Sequence, residues 1–239
     1  MKKRAKCLII IPAYNEAENI ENVVSNLINN YPQYDYIIVN DGSVDDTEKI
    51  CLKNGYQVLN LPINMGIGGA VQTGYCYARD NDYDMAVQVD GDGQHDVAYL
   101  EGMIKVIESG EADMVIGSRF VQKEGFQSSQ LRRVGIRFLS TLGWILTGVR
   151  VRDITSGYRV VNRRFIQIFA QDYPADYPEP EALVIGAVHG GRIKEYPVVM
   201  QERESGTSSI TLKKSVYYMI KVTLAMLIRR LSFGVRRQK

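Results

Sequence analysis

The sequence predicts an α/β protein built on a mostly parallel sheet flanked by helices, and three observations point to this fold. Short apolar runs recur along the chain, and each is followed by turn residues and then by a helical pattern. Polar clusters lie directly after several of these runs, where parallel strands present their carboxyl ends to a ligand. The 239 residues, 45% hydrophobic and 23% charged, fit one large domain with at most a small appendage.

The predicted strands are the apolar runs, which fall at residues 7–11, 36–39, 58–61, 86–89 and 114–116. The clearest predicted helix covers residues 16–30, because Ile20, Val24 and Leu27 share one face with their apolar neighbours and Pro32 follows the end. Alternation of this kind is typical of a parallel sheet with crossover helices.

The fourth run ends in an acidic turn that is the most informative feature of the chain. Asp90 and Asp92 follow the strand, and Gly91 and Gly93 let the backbone turn so that both carboxylates can point the same way. Carboxylate oxygens suit Mg²⁺ or Mn²⁺ and would leave coordination sites open for phosphate oxygens. An isolated Asp-x-Asp is more often a solvated surface turn, but the neighbouring polar clusters favour a metal site here.

Further polar clusters occupy residues 12–16, 40–43 and 117–119, so four clusters are expected at one edge of the sheet. Asp41 could hold ribose hydroxyls or belong to a helix-capping turn, and Tyr14 could stack on a base or pack in a loop. The glycine-rich turn at Gly66 allows a close approach of phosphate, although helix packing would also explain it. The first strand is not followed by GxGxxG, which makes a dinucleotide-binding site a weak interpretation.

Seven short motifs together resemble family 2 glycosyltransferases with the A-type fold, and more closely the polyprenyl-phosphate glycosyltransferases similar to dolichyl-phosphate mannose synthase. They occur in the family's order over nearly the whole chain. The motifs are Ile11-Pro-Ala-Tyr-Asn-Glu16, Val39-Asn-Asp-Gly-Ser43, Asn64-Met-Gly66, Asp90-Gly-Asp-Gly-Gln-His95, Gly117-Ser-Arg119, Asp153-Ile-Thr-Ser-Gly-Tyr-Arg159 and Arg203-Glu-Ser-Gly-Thr-Ser208.

The resemblance implies a Rossmann-like sheet, a nucleotide-sugar donor and an inverting, metal-dependent transferase. It implies that Asp90, Asp92 and Gln94 hold the metal on the donor diphosphate. The residues it implies around the nucleotide are Pro12, Tyr14, Glu16, Asp41 and Gly66. UDP is favoured over GDP by analogy to bacterial relatives that supply cell-envelope glycosylation, with undecaprenyl phosphate as the acceptor.

A phosphate acceptor changes what the site must provide. A hydroxyl acceptor needs a general base, whereas a phosphate monoester is already ionised at neutral pH and needs cations to position it. The planar guanidinium group suits that role. Arginines 119 and 203 fall inside matched motifs, and the pair at 132 and 133 opens a predicted helix. Ser156 is a further acceptor-phosphate candidate, and Asp153 could orient an arginine, contact the acceptor, or serve as base if the acceptor were a hydroxyl. The acceptor-phosphate candidates are therefore Arg119, Arg133, Ser156 and Arg203.

Three other polar residues receive structural or supporting interpretations. Glu179 and Glu181 flank Pro180 at a predicted helix start, where carboxylates complement the helix dipole, so capping is favoured over catalysis. His95 follows the acidic turn and is interpreted as a residue that supports the metal ligands or contacts the donor.

The C-terminal segment is basic and apolar. Residues 213–239 carry eight of the 29 basic residues and no acidic one. The apolar run at 216–228 would reach only about 20 Å, too short for a membrane span of about 30 Å. Its wheel separates a stripe that contains Lys221 from an apolar stripe that contains Ile220 and Leu224, which favours a helix lying in an anionic membrane interface. The alternative is that the apolar stripe docks on the catalytic domain or on a membrane-embedded partner. We therefore divide the chain into a catalytic domain, 1–210, and a membrane-interface tail, 211–239.

These observations lead to a peripheral protein at the cytoplasmic face of the cell membrane. The three cysteines are odd in number, and the first apolar run is too short for a signal peptide, so reduced thiols and no export are expected. A small membrane protein or a second copy could complete the anchor, and nucleic acid is not expected as a partner. The alternatives are a transferase with a hydroxyl acceptor and a membrane-bound nucleotide-sugar-binding protein without turnover.

Overall fold

The computed structural model describes residues 5–122, 130–200 and 212–236, and the descriptions below apply to them. Seven strands form one sheet: β1 (Cys7–Ala13), β2 (Asp35–Asn40), β3 (Val58–Asn60), β4 (Met85–Gln88), β5 (Met114–Ser118), β6 (Arg159–Asn162) and β7 (Ile193–Pro197). The helices are α1 (Ile20–Asn30), α2 (Thr47–Lys53), α3 (Gly66–Asp80), α4 (Leu100–Glu108), α5 (Gln130–Thr147), α6 (Arg163–Gln171), α7 (Pro178–Val188) and α8 (Leu212–Arg236).

The strand order across the sheet is β3-β2-β1-β4-β6-β5-β7. Strands β1 to β4 are parallel to their neighbours in this group, and β7 is parallel to β5. Strand β6 runs antiparallel to both β4 and β5. The prediction of a mostly parallel α/β sheet is therefore confirmed. Because β6 is reversed, the loop that precedes it meets the carboxyl end of β4, where the acidic turn begins.

The sheet separates two apolar layers, and the first strand contributes to both. Leu8 and Ile10 pack in the layer with α3, α6 and α7, whereas Ile9 and Ile11 pack in the layer with α1 and α4. All four side chains are fully buried. Strands covered on both faces are continuously apolar, which is why the runs at β1, β2 and β4 were visible in the sequence.

The five predicted strands are present with small shifts at their ends, but β6 and β7 were not predicted. The first helix begins at Ile20 rather than at residue 16. The backbone N–H of Glu16 donates to Thr47 Oγ1 at 2.9 Å, and that of Ala17 donates to Asp45 Oδ2 at 3.1 Å. Because the loop before α2 satisfies these donors, the chain turns here before the helix starts.

Helix α8 packs against α5 and α7. Val222 and Met226 are buried in the same layer as α3 and α6. The stripe that contains Lys221 faces the domain. Lys221 pairs with Asp176, and Arg229 of the same stripe pairs with Asp172 and Glu181. The apolar stripe is exposed at Val216, Ile220, Leu224 and Leu231. Within the described ranges, no helix combines the length and apolar character needed to cross a membrane.

Candidate active site

A cavity of about 470 Å³ opens where β1, β2 and β4 end. Its wall includes every residue predicted around the nucleotide, together with both acidic residues of the turn. These predicted lining residues are Pro12, Tyr14, Glu16, Asp41, Gly66, Asp90 and Asp92. The structure thus brings the first four motifs together. A larger cleft of about 560 Å³ lies between α6, α7 and α8, but Arg229 in it is already paired with Asp172 and Glu181.

At the nucleotide end of the cavity, the acidic side chains are held by neighbours. Asp41 is buried, and its Oδ1 accepts the backbone N–H of Met65 at 2.7 Å. Glu16 Oε2 accepts from Asn19 Nδ2 at 2.8 Å. Tyr14 is about half exposed at the cavity mouth. A flat ring at the mouth and carboxylates below it could accommodate a base and a ribose.

Asp90 is fixed from both sides. Gln88 Nε2 donates to Asp90 Oδ1 at 2.9 Å, and His95 Nε2 lies 3.6 Å from Asp90 Oδ2. The Nδ1 atom of His95 accepts the Asp90 backbone N–H at 3.0 Å, and the ring stacks on Tyr158 with 4.9 Å between centroids. The imidazole therefore joins the acidic turn to the residue that precedes β6, in agreement with its interpretation as a supporting residue.

Asp92 is buried, and its Oδ1 accepts the backbone N–H of Gln94 at 3.1 Å. Gly93 has a φ of +76°, which closes this turn in a conformation that favours glycine. Gln94 is half-buried in the turn, next to Asp92, and is not part of the cavity wall described above. Its role as a metal ligand stays a prediction.

The oxygen donors in the cavity fit a hard divalent cation that is shared with a substrate. Across residues 5–122, 130–200 and 212–236, no three His, Cys, Asp or Glu side chains converge as a self-sufficient metal cage. Asp90 and Asp92 nevertheless supply carboxylates to one cavity. One or two carboxylates completed by substrate phosphates is the arrangement that Mg²⁺ commonly takes, and Mn²⁺ accepts similar oxygen ligands.

The Arg119 and Asp153 side chains form a buried, bidentate pair beside this cavity. Arg119 Nε donates to Asp153 Oδ2 and Nη2 donates to Oδ1, both at 2.7 Å. The backbone N–H of Arg119 also donates to Oδ2, and Asp153 is fully buried. Burial lowers the pKa of Arg119, but the hydrogen bond and charge of Asp153 outweigh it and raise that pKa, with help from Asp90 and Glu179. Both oxygens of Asp153 are engaged, so the geometry favours orientation of Arg119 over service as a general base.

The remaining acceptor candidates are placed unequally. Ser156 lies in the same loop as Asp153 and is buried. Its Oγ has no hydrogen-bond partner among the described atoms. Such an orphaned hydroxyl is uncommon and suits a group that meets a ligand. Arg133 lies partly exposed on α5, and Arg203 lies outside the described residues. The roles of both arginines stay predictions.

Glu179 is a cavity residue that the sequence analysis assigned to helix capping and not to the active site. It begins α7 as predicted for a capping carboxylate, yet it also lines the donor cavity with Asp90 and Asp92. Burial raises its pKa, the charge of Asp90 raises it further, and Arg159 acts in the opposite direction. The prolines at 178 and 180, which fix this backbone, were the available signal, but they are equally typical of an ordinary helix start.

The described geometry is a cavity lined by acidic side chains at the carboxyl ends of parallel strands, and comparison with known proteins identifies the family. The model of the family described as glycosyl transferase family 2 matches residues 8–169. The chain belongs to glycosyl transferase family 2. The matched segment contains the acidic turn, the buried Arg119–Asp153 pair and all strands except β7.

Several relatives of this family 2 enzyme are named as lipid-phosphate transferases. A polyprenol monophosphomannose synthase of Mycolicibacterium smegmatis is 30% identical over 86% of this chain and 81% of its own length. An undecaprenyl-phosphate mannosyltransferase of Micrococcus luteus is 30% identical over 86% and 88%. A UDP-N-acetylglucosamine–dolichyl-phosphate N-acetylglucosaminyltransferase of Methanococcus voltae is 34% identical over 80% and 83%. The resemblance to polyprenyl-phosphate transferases is confirmed.

Solved structures support the fold. Glucosyl-3-phosphoglycerate synthase from Mycobacterium tuberculosis, in complex with Mn²⁺, UDP-glucose and phosphoglyceric acid, superposes with a TM-score of 0.68. The match covers 95% of this chain and 80% of the other at 19% identity. The A-type glycosyltransferase fold predicted from the motifs is therefore confirmed.

Proposed function

We propose that this family 2 enzyme transfers a sugar from a nucleotide-sugar donor, a UDP-sugar, to a polyprenyl phosphate such as undecaprenyl phosphate. The observation that carries this proposal is an acidic donor cavity beside the loop of the buried Arg119–Asp153 pair, since Gly157 of that loop lies next to the Gln88 and Asp90 side chains. The printed functions of the relatives agree with it. The product would be a polyprenyl-phosphate sugar for cell-envelope glycosylation.

In the proposed reaction, an oxygen of the acceptor phosphate attacks the anomeric carbon from the face opposite the diphosphate. The new carbon–oxygen bond forms as the bond to the donor's β-phosphate oxygen breaks, and the electron pair leaves with the nucleoside diphosphate. The configuration at the anomeric carbon is therefore inverted. A bound Mg²⁺ or Mn²⁺ would stabilise negative charge on the leaving diphosphate. Asp90, Asp92 and Gln94 would hold that ion.

On the acceptor side, this chain's residues need only position an oxyanion that is already charged. Arg119 would provide charge and hydrogen-bond donors, while Asp153 fixes the plane of its guanidinium group. Ser156 has an unpartnered hydroxyl that could donate to a phosphate oxygen. Arg133 and Arg203 are proposed to complete the phosphate site.

We also propose that the enzyme works as a peripheral protein at the cytoplasmic face of the cell membrane. Helices α5 and α8 pack together and expose apolar side chains that include Phe138, Ile145, Ile220 and Leu224. The Arg150 guanidinium lies 4.6 Å from the Trp144 ring centroid, so a cation and an aromatic ring sit together at this surface. A small membrane protein or a second copy of the chain could share this surface.

The deciding experiment is a transfer assay with purified protein, Mn²⁺, undecaprenyl phosphate and a panel of UDP-glucose, UDP-N-acetylglucosamine and GDP-mannose. Formation of an acid-labile lipid-phosphate sugar from one donor is expected, and addition of EDTA should stop it. Undecaprenol is the matched neutral acceptor. Equal transfer to undecaprenol, or full turnover in EDTA, would contradict the proposal.

A hydroxyl acceptor is the second candidate, and one observation favours keeping it. Glu179 lines the cavity and has a raised pKa, a combination that suits a general base better than the fully engaged Asp153 does. Transfer to undecaprenol that is lost in Glu179→Gln and retained in Asp153→Asn would support this candidate.

A further inference from the structure

The α7 end of the donor cavity has no assigned function, although Glu179 contributes a carboxylate there. The base and ribose are assigned to the end formed by Tyr14 and Asp41, and the diphosphate is assigned to Asp90 and Asp92. The part of the donor still without a partner is the sugar. It must lie between the metal ligands and the acceptor group, because the bond that breaks joins the sugar to the diphosphate.

The cavity wall places Glu179 in that interval: it lines the same cavity as Asp90, and Arg159 joins its backbone to the loop whose Gly157 lies next to Asp90. The charge of Glu179 raises the pKa of Arg119, and the charge of Asp90 raises the pKa of Glu179 itself. Glu179 is therefore close to both the acceptor arginine and the metal motif. Burial raises the pKa of Tyr218 on α8, and the charge of Glu179 raises it further.

Of the diphosphate, the acceptor phosphate and the sugar, only the sugar is suited to contact with the Glu179 carboxylate. Both the donor diphosphate and the acceptor phosphate are anions, and a carboxylate would repel either of them. Sugar hydroxyls are neutral donors, and an ionised carboxylate can accept two of them. Glu179 is half-buried in the cavity wall, and a bound sugar would supply hydrogen-bond donors to a carboxylate that is partly withdrawn from water.

Arg159 holds the backbone at Glu179 through a hydrogen bond to its carbonyl oxygen. Among the described contacts, the two side chains do not form an ion pair. The Arg159 guanidinium donates to the carbonyl oxygens of Ser156, Ile154 and Glu179 at 2.8, 2.9 and 2.7 Å. One buried side chain thus joins the loop that carries Asp153 to the first turn of α7. In the sheet, Arg159 lies opposite Gln88, the residue that holds Asp90. The position of Glu179 is therefore coupled to both halves of the site.

We propose that Glu179 binds hydroxyl groups of the sugar moiety of the nucleotide-sugar donor and so selects which sugar is transferred. This inference rests on the proposed function for its substrate class. It assigns Glu179 a role in recognition of the sugar, separate from binding of the nucleotide and of the metal.

Glu179→Gln tests the inference, because the amide keeps the shape of the side chain but replaces one acceptor oxygen with a donor group. Calorimetric titration with Mn²⁺ present should show UDP affinity within about twofold of the wild type. Affinity for the preferred UDP-sugar should fall about 10- to 100-fold, the range expected for loss of hydrogen bonds to a charged group. The ratio of kcat/KM values across UDP-glucose, UDP-N-acetylglucosamine and GDP-mannose should also change.

Glu181→Gln is the matched control, since it neutralises a carboxylate two residues further along α7 that pairs with Arg229 instead of lining the donor cavity. It should change neither UDP-sugar affinity nor donor preference. Thermal melting of both variants separates loss of binding from loss of the fold. Where Glu179→Gln fails to fold, Glu179→Asp serves as the second variant, and a shorter carboxylate should alter the donor ratio while UDP affinity is kept.

Three results would overturn the inference. Equal losses of UDP and UDP-sugar affinity would mean that Glu179 supports the metal or the nucleotide. Unchanged affinity and unchanged donor ratio would mean that it does not touch the sugar. Unchanged UDP-sugar affinity with abolished transfer would instead identify a general base. Because the titrations need no acceptor, they test Glu179 even if the wild type fails to use polyprenyl phosphate.

Discussion

The donor and acceptor halves of this site are built in different ways. On the donor side, each group follows a parallel strand directly, so Asp41 and Asp90 reach the cavity from the strand that precedes them in sequence. On the acceptor side, Arg119 comes from the end of β5, whereas Asp153 and Ser156 come from the loop before β6. The donor half is a set of local motifs, whereas the acceptor half depends on contacts between distant segments. Substitutions in the two halves should therefore differ in how they affect activity and stability.

The largest effect is expected in the donor half. Asp92→Ala should lower transfer by about a thousandfold or more, because charge on the leaving diphosphate would lose its stabilisation in the transition state. The variant should still fold, since Asp92 lies in the turn after β4 and its truncation leaves the apolar layers on both faces of the sheet intact. Turnover with Mn²⁺ and the thermal melting temperature are the two measurements. A variant that unfolds, or one that keeps more than about a tenth of the wild-type rate, would break the contrast with the acceptor half.

The next effect concerns the acceptor half, where activity and stability should be lost together. Arg119→Ala leaves the fully buried Asp153 without its partner, and removal of one member of a buried pair costs about 3–5 kcal/mol of unfolding free energy. Urea denaturation measures this loss. Acceptor use should fall more than donor affinity, as determined by the KM for undecaprenyl phosphate and by titration with UDP.

A double variant separates the two roles of the pair. Arg119→Met combined with Asp153→Leu replaces the buried ions by apolar side chains of similar volume and should recover much of the stability. If the guanidinium binds the acceptor phosphate, this stable protein remains inactive. Recovery of transfer along with stability would show that the pair serves only the fold.

Sequence reasoning was more successful for the donor half, and the architecture explains why. A strand buried on both faces is a continuous apolar run, and its turn carries the functional residues, so β4 and Asp90 could be predicted from adjacent letters. Strand β6 has only two apolar residues between Arg159 and Asn162, and β7 is a partly exposed edge strand, so neither produced a clear pattern. Glu179 shares its local signal with ordinary helix starts, and only the antiparallel β6 and its buried arginine bring it to the cavity.

The exposed apolar surface of α8 provides a further test. Replacing Ile220 and Leu224 of α8 by glutamate should weaken binding to vesicles of phosphatidylglycerol and phosphatidylcholine by about tenfold or more, because two exposed apolar side chains are lost and two like charges are added. Co-sedimentation at fixed salt measures the change. Leu52→Glu, at an exposed apolar position of α2, is the control and should bind as the wild type does. Unaltered binding by the double variant would remove α8 from the membrane surface.

The smallest effect is expected at Asp113, which precedes β5 at the edge of the sheet opposite the cavity. Its side chain joins β5 to the neighbouring ends of β6 and β7. Its carboxylate accepts from both the Arg192 guanidinium and the Asn162 amide, and the Arg192 hydrogen bond is the main cause that lowers its pKa to about 2. The stabilisation is therefore fully present above the usual aspartate pKa of about 3.8 and is lost as the pH falls towards 2.

Asp113→Asn should accordingly cost about 1–2 kcal/mol at pH 6, a value discounted for the exposure of Arg192, and the difference from the wild type should shrink as the pH approaches 2. Urea denaturation between pH 6 and pH 2.5 measures this convergence. Glu111→Gln, whose exposed carboxylate pairs with Lys194, should give a smaller change at every pH. Transfer at pH 7 should be unaffected by either variant, because both lie far from the carboxyl ends of the strands. A loss of activity in Asp113→Asn without loss of stability would mean that the residue before β5 affects the function of Arg119, which follows the same strand.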